Sequence, residues 1–293
     1  MRGNRRMLEL IHTWSDQMPG GAGFMTVYRT TGMSTRTTRA LELRSGMELS
    51  SAAPGLPIRG HRTMMLDGVN CSVLSSITQT AGPSPDHPCR IAHHLVLTPG
   101  ERPSISPVGL LMSGWFRTDW DGTSPSGADS PPLPDHAEFS VCHSLDPEWL
   151  RILNHRVAAH AGTSIMVPPS TRCIDVVAAI EQTLSPEAQW AFTFLTNTDR
   201  MRDAAILLAV HEGSPPARRI AAANEGVVLL LKNPPTPISH ATAIENSDTD
   251  QAEPTPTTLQ LDPARVSGCV IAMAVIAAAA LMAVIVAIAG WFP

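Results

Sequence analysis

Charged side chains are scarce in this sequence, at 16%, and aromatic side chains are scarcer still, at 4%. Together with 26 prolines and many serine and threonine residues, this composition indicates a loop-rich globular protein and not a long-helix protein. The net charge is only -5, and residues 1–232 carry 20 basic and 21 acidic side chains. A nearly neutral region of this kind lacks the basic surface that binds nucleic acid, so we expect no nucleic-acid partner.

The short motifs that mark common catalytic folds are missing as well. Neither G-x-x-x-x-G-K-[ST] nor G-x-G-x-x-G occurs, so the chain is not itself a P-loop GTPase and is no typical dinucleotide enzyme. A G-x-S-x-G nucleophile elbow is also absent, which argues against an α/β-hydrolase. We therefore expect no cofactor.

Cysteine is infrequent and irregularly spaced. The five cysteines form an odd set without a C-x-x-C pair, which indicates no disulfide framework: Cys71, Cys89, Cys142, Cys173 and Cys269. Scattered thiols fit a reducing compartment. The apolar run after Arg6 is too short for a signal peptide, so we expect that the bulk of the protein is not secreted. Translation can start equally well at Met1 or at Met7.

Residues 266–292 are, by contrast, a run of 27 residues without one ionisable side chain. A helix of that length spans about 40 Å, which exceeds the roughly 30 Å of bilayer hydrocarbon. We predict a single C-terminal transmembrane helix, whose apolar and interfacial positions include Val266, Ile271, Val275, Leu281, Ile285, Ile288, Trp291 and Phe292. The alternative is a buried soluble helix, although few of these have more than 18 uninterrupted apolar residues.

The sequence around this segment predicts its orientation. Arg265 flanks its near end, and basic residues favour the cytoplasmic side, so the N-terminal bulk is expected in the cytoplasm. Ala279, Ala283 and Ala287 recur at four-residue spacing and predict weak self-association through close helix packing. The lipid bilayer is therefore the first expected partner.

Residues 233–264 separate the apolar segment from the rest of the chain. They contain six prolines and five acidic side chains, with no lysine, arginine or aromatic residue. Such a segment cannot bury enough apolar area to offset the entropy lost on ordering. We predict a disordered, acidic, proline-rich tether.

Short apolar runs, turn residues and helix caps alternate irregularly along residues 7–232 and predict one α+β region. The expected strands are 8–14, 24–29, 62–66, 71–80, 91–97, 189–196, 204–211 and 227–231. The expected helices are 107–113, 147–161, 171–184, 215–224 and one that Ser34 caps and that ends near Ser45. Asp67-Gly68 is expected to form a turn, residues 82–88 and 122–135 form loops, and a further turn passes through 19–21.

Several segments together resemble a known family. They are LELIHTW at 8–14, GFMTV at 23–27, TGM at 31–33, RIAHHLVL at 90–97 with PGE at 99–101, and GWF with DW between 114 and 120. This set resembles the amino-terminal domain, of the second type, of bacterial GTPase-associated proteins, and 190–194 and 226–231 resemble its later strands. The resemblance implies a module that works beside a GTPase in a bacterial signalling or conflict system. It implies no established active site.

His93 and His94 form the most conspicuous polar pair. Adjacent side chains of a strand point to opposite faces, so the two imidazoles cannot serve one site. One of them can face a cleft and act as a base or a ligand, with Asp67, Cys89 or His61 as possible neighbours. The alternative is one histidine in the core and one at the surface.

Cys89, His93 and His94 superficially suggest a metal site. Tetrahedral zinc needs further ligands at comparable spacing, and Cys142 with His143 are the available pair. Strand alternation would separate the side chains of that pair too. We therefore expect no metal.

The leading hypothesis is a non-enzymatic, membrane-tethered adaptor or sensor that binds a protein partner, such as a GTPase, at the cytoplasmic face. The tail, the tether, the family resemblance and the lack of a catalytic motif motivate it. The alternative is a membrane-anchored enzyme, such as a hydrolase, that uses His93 or His94.

Overall fold

A computed structural model describes residues 7–15, 23–51, 55–84, 87–120, 133–134, 145–199, 206–223 and 227–231. The predicted tether at 233–264, the apolar segment at 266–292, the turn through 19–21 and nearly all of the loop at 122–135 lie outside these residues. Among the described helices, none is long and apolar enough to cross a membrane.

The first half of the described chain is mostly β-structure. Its elements are β1 (Leu8–Ser15), β2 (Gly23–Arg29), α1 (Thr35–Ser51), β3 (Ile58–Leu66), β4 (Val69–Ser84), β5 (His87–Leu97) and α2 (Pro107–Met112). As predicted, Ser34 caps α1, and its Oγ accepts a hydrogen bond from the N–H of Thr37 at 3.0 Å. The predicted turn joins β3 to β4, with Asp67 and Gly68 both at positive φ.

Helices and short strands alternate in the second half. The elements are α3 (Pro147–Ala158), β6 (Thr163–Val167), α4 (Cys173–Glu181), α5 (Pro186–Ala191), β7 (Phe194–Thr196), β8 (Leu207–His211), α6 (Pro215–Ala223) and β9 (Val227–Leu230). Tandem prolines, Pro168-Pro169, follow β6 because proline cannot continue the ladder.

All described strands join one mixed sheet in the order β2-β1-β5-β4-β3-β7-β8-β6-β9. The strands from β2 to β7 in this order are antiparallel to their neighbours, whereas β7, β8, β6 and β9 run parallel to one another. The predicted α+β class is therefore confirmed.

Helices cover both faces of the parallel part. Ile165 and Val167 pack with Val176 and Ile180 of α4 on one face. Met166, between them in β6, packs on the other face with residues of α6 that include Ile220. Side chains alternate along a strand, so a short apolar run such as β6 is buried on both faces.

Two sequence predictions were wrong in this half of the chain. The strand expected at 189–196 is helix α5 followed by the short strand β7. Ser185 begins the helix because its Oγ accepts from the N–H of Ala188 and Pro186 has the fixed φ suited to a first turn. Strand β6 was not predicted at all.

The loop expected at 82–88 is also shorter than predicted. Strand β4 continues to Ser84, and β5 already begins at His87, so the two strands form a long hairpin. Proline at 83 and 88 suggested an interruption, but proline is tolerated where it need not donate to a neighbouring strand.

The antiparallel and parallel parts meet where β3 pairs with β7. In the described structure this junction consists of two residue pairs, Gly60 with Leu195 and His61 with Phe194. A Cβ atom at position 60 would lie 2.4 Å from Cδ2 of Leu195 and 3.2 Å from the carbonyl oxygen of Phe194. Leu195 is buried, so its side chain has little room to move. Glycine at 60 therefore permits the close approach of the two strands.

We expect Gly60→Ala to lower the free energy of unfolding by about 1–3 kcal/mol, since the added methyl group overpacks a buried contact. Chemical denaturation of the full-length chain measures this. Gly100→Ala is the matched control, because no atom lies within 4 Å of its Cβ position, and its effect should stay within about 0.5 kcal/mol. Equal stability of the two variants would contradict the importance of the junction.

Candidate functional site

His93 lies on one face of β5 and is 1% exposed. Its Nδ1 accepts a hydrogen bond from the backbone N–H of Arg117 at 2.9 Å, so the neutral imidazole carries its proton on Nε2. That nitrogen lies 2.9 Å from a carboxylate oxygen of the buried Glu9. Trp115 stacks on the ring, and Phe116 packs edge-on against it. Burial lowers the pKa of His93, although Glu9 partly opposes this.

His94 lies on the opposite face and is 0% exposed. Its Nε2 is 2.8 Å from Oγ of Ser45, and its Nδ1 is 2.8 Å from Oγ of Ser75. The Ser45 hydroxyl donates to the carbonyl of Leu41, so it accepts from His94. Burial, together with nearby positive charge, lowers the pKa of His94 to about 3. The ring thus joins α1 to the sheet as a neutral group.

The two histidines therefore point to opposite faces, as strand geometry predicts. The expectation that one of them reaches the surface was wrong, because α1 covers one face of β5 and the Trp115–Phe116 segment covers the other. Asp67 accepts a hydrogen bond from Thr37, and His61 bonds the carbonyl oxygen of Phe192. Neither contact involves His93 or His94.

The superficial metal motif cannot be assembled from the described side chains. Those of Cys89, Cys142 and His143 lie outside them. Within the part of the chain that the structure describes, no three His, Cys, Asp or Glu side chains converge as metal ligands do. His93 contacts Glu9 and aromatic rings instead.

A cavity of about 600 Å³ lies elsewhere, where the antiparallel and parallel parts of the sheet meet. Thr196 and Asn197 reach it from the carboxyl end of β7, His211 ends β8, and Cys173 begins α4 after β6. The chain leaves β6 and β8 towards opposite faces of the sheet, since α4 and α6 pack on different faces. Crevices at such points are where parallel α/β sheets bind ligands.

Asn197 holds three elements together beside this cavity. Its Nδ2 donates to the carbonyl of Pro57 at 2.7 Å, and its backbone N–H donates to the carbonyl of Ala209 at 2.8 Å. Its Oδ1 accepts from the thiol of Cys173 at 3.3 Å. The residue has a φ of 58°, a left-handed conformation that asparagine tolerates better than most residues. The start of β3, the end of β8 and the start of α4 therefore meet around one side chain.

Two arginines line the cavity. Arg172 pairs with the buried Asp175 through two hydrogen bonds, at 2.8 and 2.6 Å, so the positive charge is locally neutralised. Arg59 donates instead to the hydroxyls of Ser76 and Thr78. No carboxylate among the described residues forms an ion pair with Arg59, and burial lowers its pKa. Among the described side chains of the lining, Arg59 is thus the charged group without an ion-pair partner.

The Cys173 thiol is a poor nucleophile in this arrangement. A cysteine at a helix N-terminus normally has a lowered pKa, because the helix dipole favours the thiolate. Here Cys173 is 2% exposed, and burial raises its pKa to about 12. Its proton is also engaged by the side chain of Asn197. The effect of burial on the pKa of the thiol is larger than that of the helix dipole. The thiol therefore has a structural role, as the donor of the hydrogen bond to Asn197.

Helix α2 forms the apolar side of the cavity through Leu111 and Met112. The buried carboxylate of Glu181, at the end of α4, positions it by accepting from Oγ of Ser106 at 2.5 Å and from the N–H of Val108 at 3.1 Å. Burial raises the pKa of Glu181 to about 7 even though these hydrogen bonds oppose the shift. The first turn of α2 is therefore held against α4.

Sequence reasoning missed this site because its polar residues are far apart in the chain. Arg59, Arg172, Asn197 and His211 belong to no short motif. One local signal was present, since Asn197 follows the short buried strand β7 and His211 ends the short buried strand β8. This signal predicts a shared site only when the two strands are known to be parallel neighbours, which the sequence did not reveal.

Comparisons with protein-family models, with curated proteins and with solved structures find no match. The resemblance to the GTPase-associated amino-terminal domain therefore stays a prediction.

The burial of His94 predicts a specific pH dependence. Its pKa is about 3 in the folded chain and near 6.5 when unfolded, so its contribution to stability is complete above pH 6.5 and is lost as the pH falls below it. Between pH 7 and pH 4 this loss amounts to about 3 kcal/mol. We expect His94→Gln to be less stable than the wild type at pH 7 but to lose about 3 kcal/mol less on acidification.

Denaturant titrations of the full-length chain at several pH values measure that difference. His155→Gln is the control, because His155 is exposed on α3, and its curve should run parallel to that of the wild type. A His94→Gln curve that also runs parallel would contradict the lowered pKa, because it would show that the ring binds a proton as readily in the folded chain as in the unfolded chain.

Proposed function

We propose that this chain is a membrane-tethered binding module, an adaptor or sensor that acts through a protein partner such as a GTPase. It would work at the cytoplasmic face in a bacterial signalling or conflict system. The charge-free segment at 266–292 and the acidic tether at 233–264 support the membrane part of the proposal. The family resemblance supports the choice of partner.

The observation that carries the non-enzymatic part is the environment of His93 and His94. Both are buried, and each ring nitrogen has a neighbour within 3 Å that orients the ring. A general base must reach the proton of a bound substrate, and neither ring has an open side for one. The rival enzyme hypothesis therefore loses the two residues on which it depended.

The tip of the β3–β4 hairpin offers a surface for a partner. Met65 is 67% exposed and Val69 is 44% exposed, on either side of the turn at Asp67. The same turn is attached to α1, because Thr37 donates to the carboxylate of Asp67 at 2.8 Å. The strand register places Met65 and Val69 on opposite faces of the hairpin, so a partner that surrounds the tip would contact both side chains.

Capture of the tagged full-length chain from crosslinked native membranes tests the proposal. We expect a protein with a GTPase domain to be recovered. The double variant Met65→Asp, Val69→Asp should reduce that recovery at least about tenfold, since a charged tip opposes desolvation at an interface.

Leu230→Asp is the matched control, because Leu230 is an exposed apolar residue on a different strand, β9, and it should leave recovery unchanged. Recovery of no GTPase, or equal recovery with the wild type and the tip variant, would contradict the proposal.

Deletion of residues 266–292 should release the chain from the membrane fraction into the supernatant, because those residues carry the apolar area for insertion. Deletion of residues 240–260, within the tether, removes a similar length and should leave the chain in the membrane. Carbonate extraction followed by blotting measures both. A chain that stays with the membrane after losing 266–292 would be attached by other means.

A further inference from the structure

We infer that the cavity between β3, β7 and α4 binds a small organic anion, with a phosphate or carboxylate head and an apolar body. The inference goes beyond partner binding, because it concerns a different surface from the hairpin tip. It depends on three features of the cavity: its charge, its apolar side and its position at the N-terminus of a helix.

The charge of the cavity favours an anion. Arg59 lies in its lining without an ion-pair partner among the described residues, and burial makes an unpaired charge costly. His211 also lines it, and its Nδ1 is buried without a hydrogen-bond partner in the described part of the chain. Among the described residues, the lining contains no carboxylate. An anionic head can accept hydrogen bonds from the Arg59 guanidinium, and also from Nδ1 of His211 in the tautomer that carries the proton there.

The start of α4 strengthens this preference. Its N-cap is Arg172, whose side chain makes no capping hydrogen bond. The N–H of Asp175 donates to the carbonyl of Arg172, and the Asp175 carboxylate pairs with the Arg172 guanidinium. The N–H groups of the first two helical residues have no partner within the helix and favour negative charge. Cys173 and Ile174, the first two residues of the helix, both lie in the cavity lining.

The size and the remaining lining define the rest of the ligand. A volume of about 600 Å³ far exceeds the space that a phosphate ion needs and falls in the range of small-molecule sites. Leu111, Met112 and Phe116 supply an apolar side. A ligand that places its head near Arg59 would therefore lay an apolar body against these side chains.

A matched set of probes tests the inference on the purified full-length chain. 1-Naphthyl phosphate and 1-naphthoate share one apolar body and differ in the head, 1-naphthol has the body without the permanent charge, and inorganic phosphate has the head alone. Isothermal titration measures each dissociation constant at neutral pH. We expect at least one naphthyl anion to bind at least about tenfold more tightly than both 1-naphthol and inorganic phosphate.

Two variants locate the site. Arg59→Gln removes the unpaired charge and should weaken binding of the naphthyl anion at least about tenfold. Thr118→Trp places a large ring at the exposed edge of the cavity and should also weaken it, while every buried hydrogen bond of Arg59 and Asn197 is kept. Arg151→Gln is the control, because Arg151 is an exposed arginine on α3 that pairs with Glu148. It should bind like the wild type.

If either naphthyl anion binds more tightly than 1-naphthol and inorganic phosphate, the inference is supported. The anion that binds more tightly then identifies the head group as phosphate or carboxylate. Equal binding of 1-naphthol and the anions, no binding of either anion at 1 mM, or unchanged affinity in Thr118→Trp would overturn it. Capture of a GTPase through the hairpin tip can succeed or fail independently, so the two proposals are distinguishable.

Discussion

The structure depends on the close approach of β3 to β7 at Gly60. This contact converts an antiparallel sheet and a short parallel sheet into one mixed sheet, through two described residue pairs. The same approach places Pro57 and Arg59, at the start of β3, beside Thr196 and Asn197, at the end of β7. Three hydrogen bonds then join these residues just beyond the ladder. Without this junction the cavity would have no second side.

Local signals in the sequence were sufficient for much of the fold. The turn at Asp67, the cap at Ser34 and most long strands of the antiparallel part were predicted because a few neighbouring residues determine them. Helix α5 was missed because alternating aromatic residues at 190–194 resemble a strand, and β6 was missed because its sequence, TSIMV, has only three apolar residues and no clear periodicity. The order of the parallel strands depends on packing between distant segments. The membrane helix and the GTPase partner stay predictions.

The site was less predictable than the fold, for a physical reason. His93 and His94 are conspicuous in the sequence, yet burial and neighbouring hydroxyl, carboxylate and aromatic groups give them structural roles. Register places Arg59 beside Ser76, and Ser76 beside His93, so one polar row crosses the sheet beneath Phe116. The sequence pointed to His93, at the buried end of that row, and not to Arg59, at the end that lines the cavity. The exposure of these two residues differs only in the assembled sheet, so it could not be read from the sequence.

Because the cavity is bounded by both parts of the sheet, a molecule bound there contacts both of them. The two parts also share one hydrophobic core, in which Leu95 packs together with Ile165 and Val176. By thermodynamic reciprocity, any change in the spacing of the two parts would change the affinity of the cavity, and occupancy of the cavity would favour one spacing. The hairpin of β3 and β4 extends from the same strand whose first residues line the cavity. A single strand therefore connects an exposed apolar tip with Arg59, an arginine that lines the cavity.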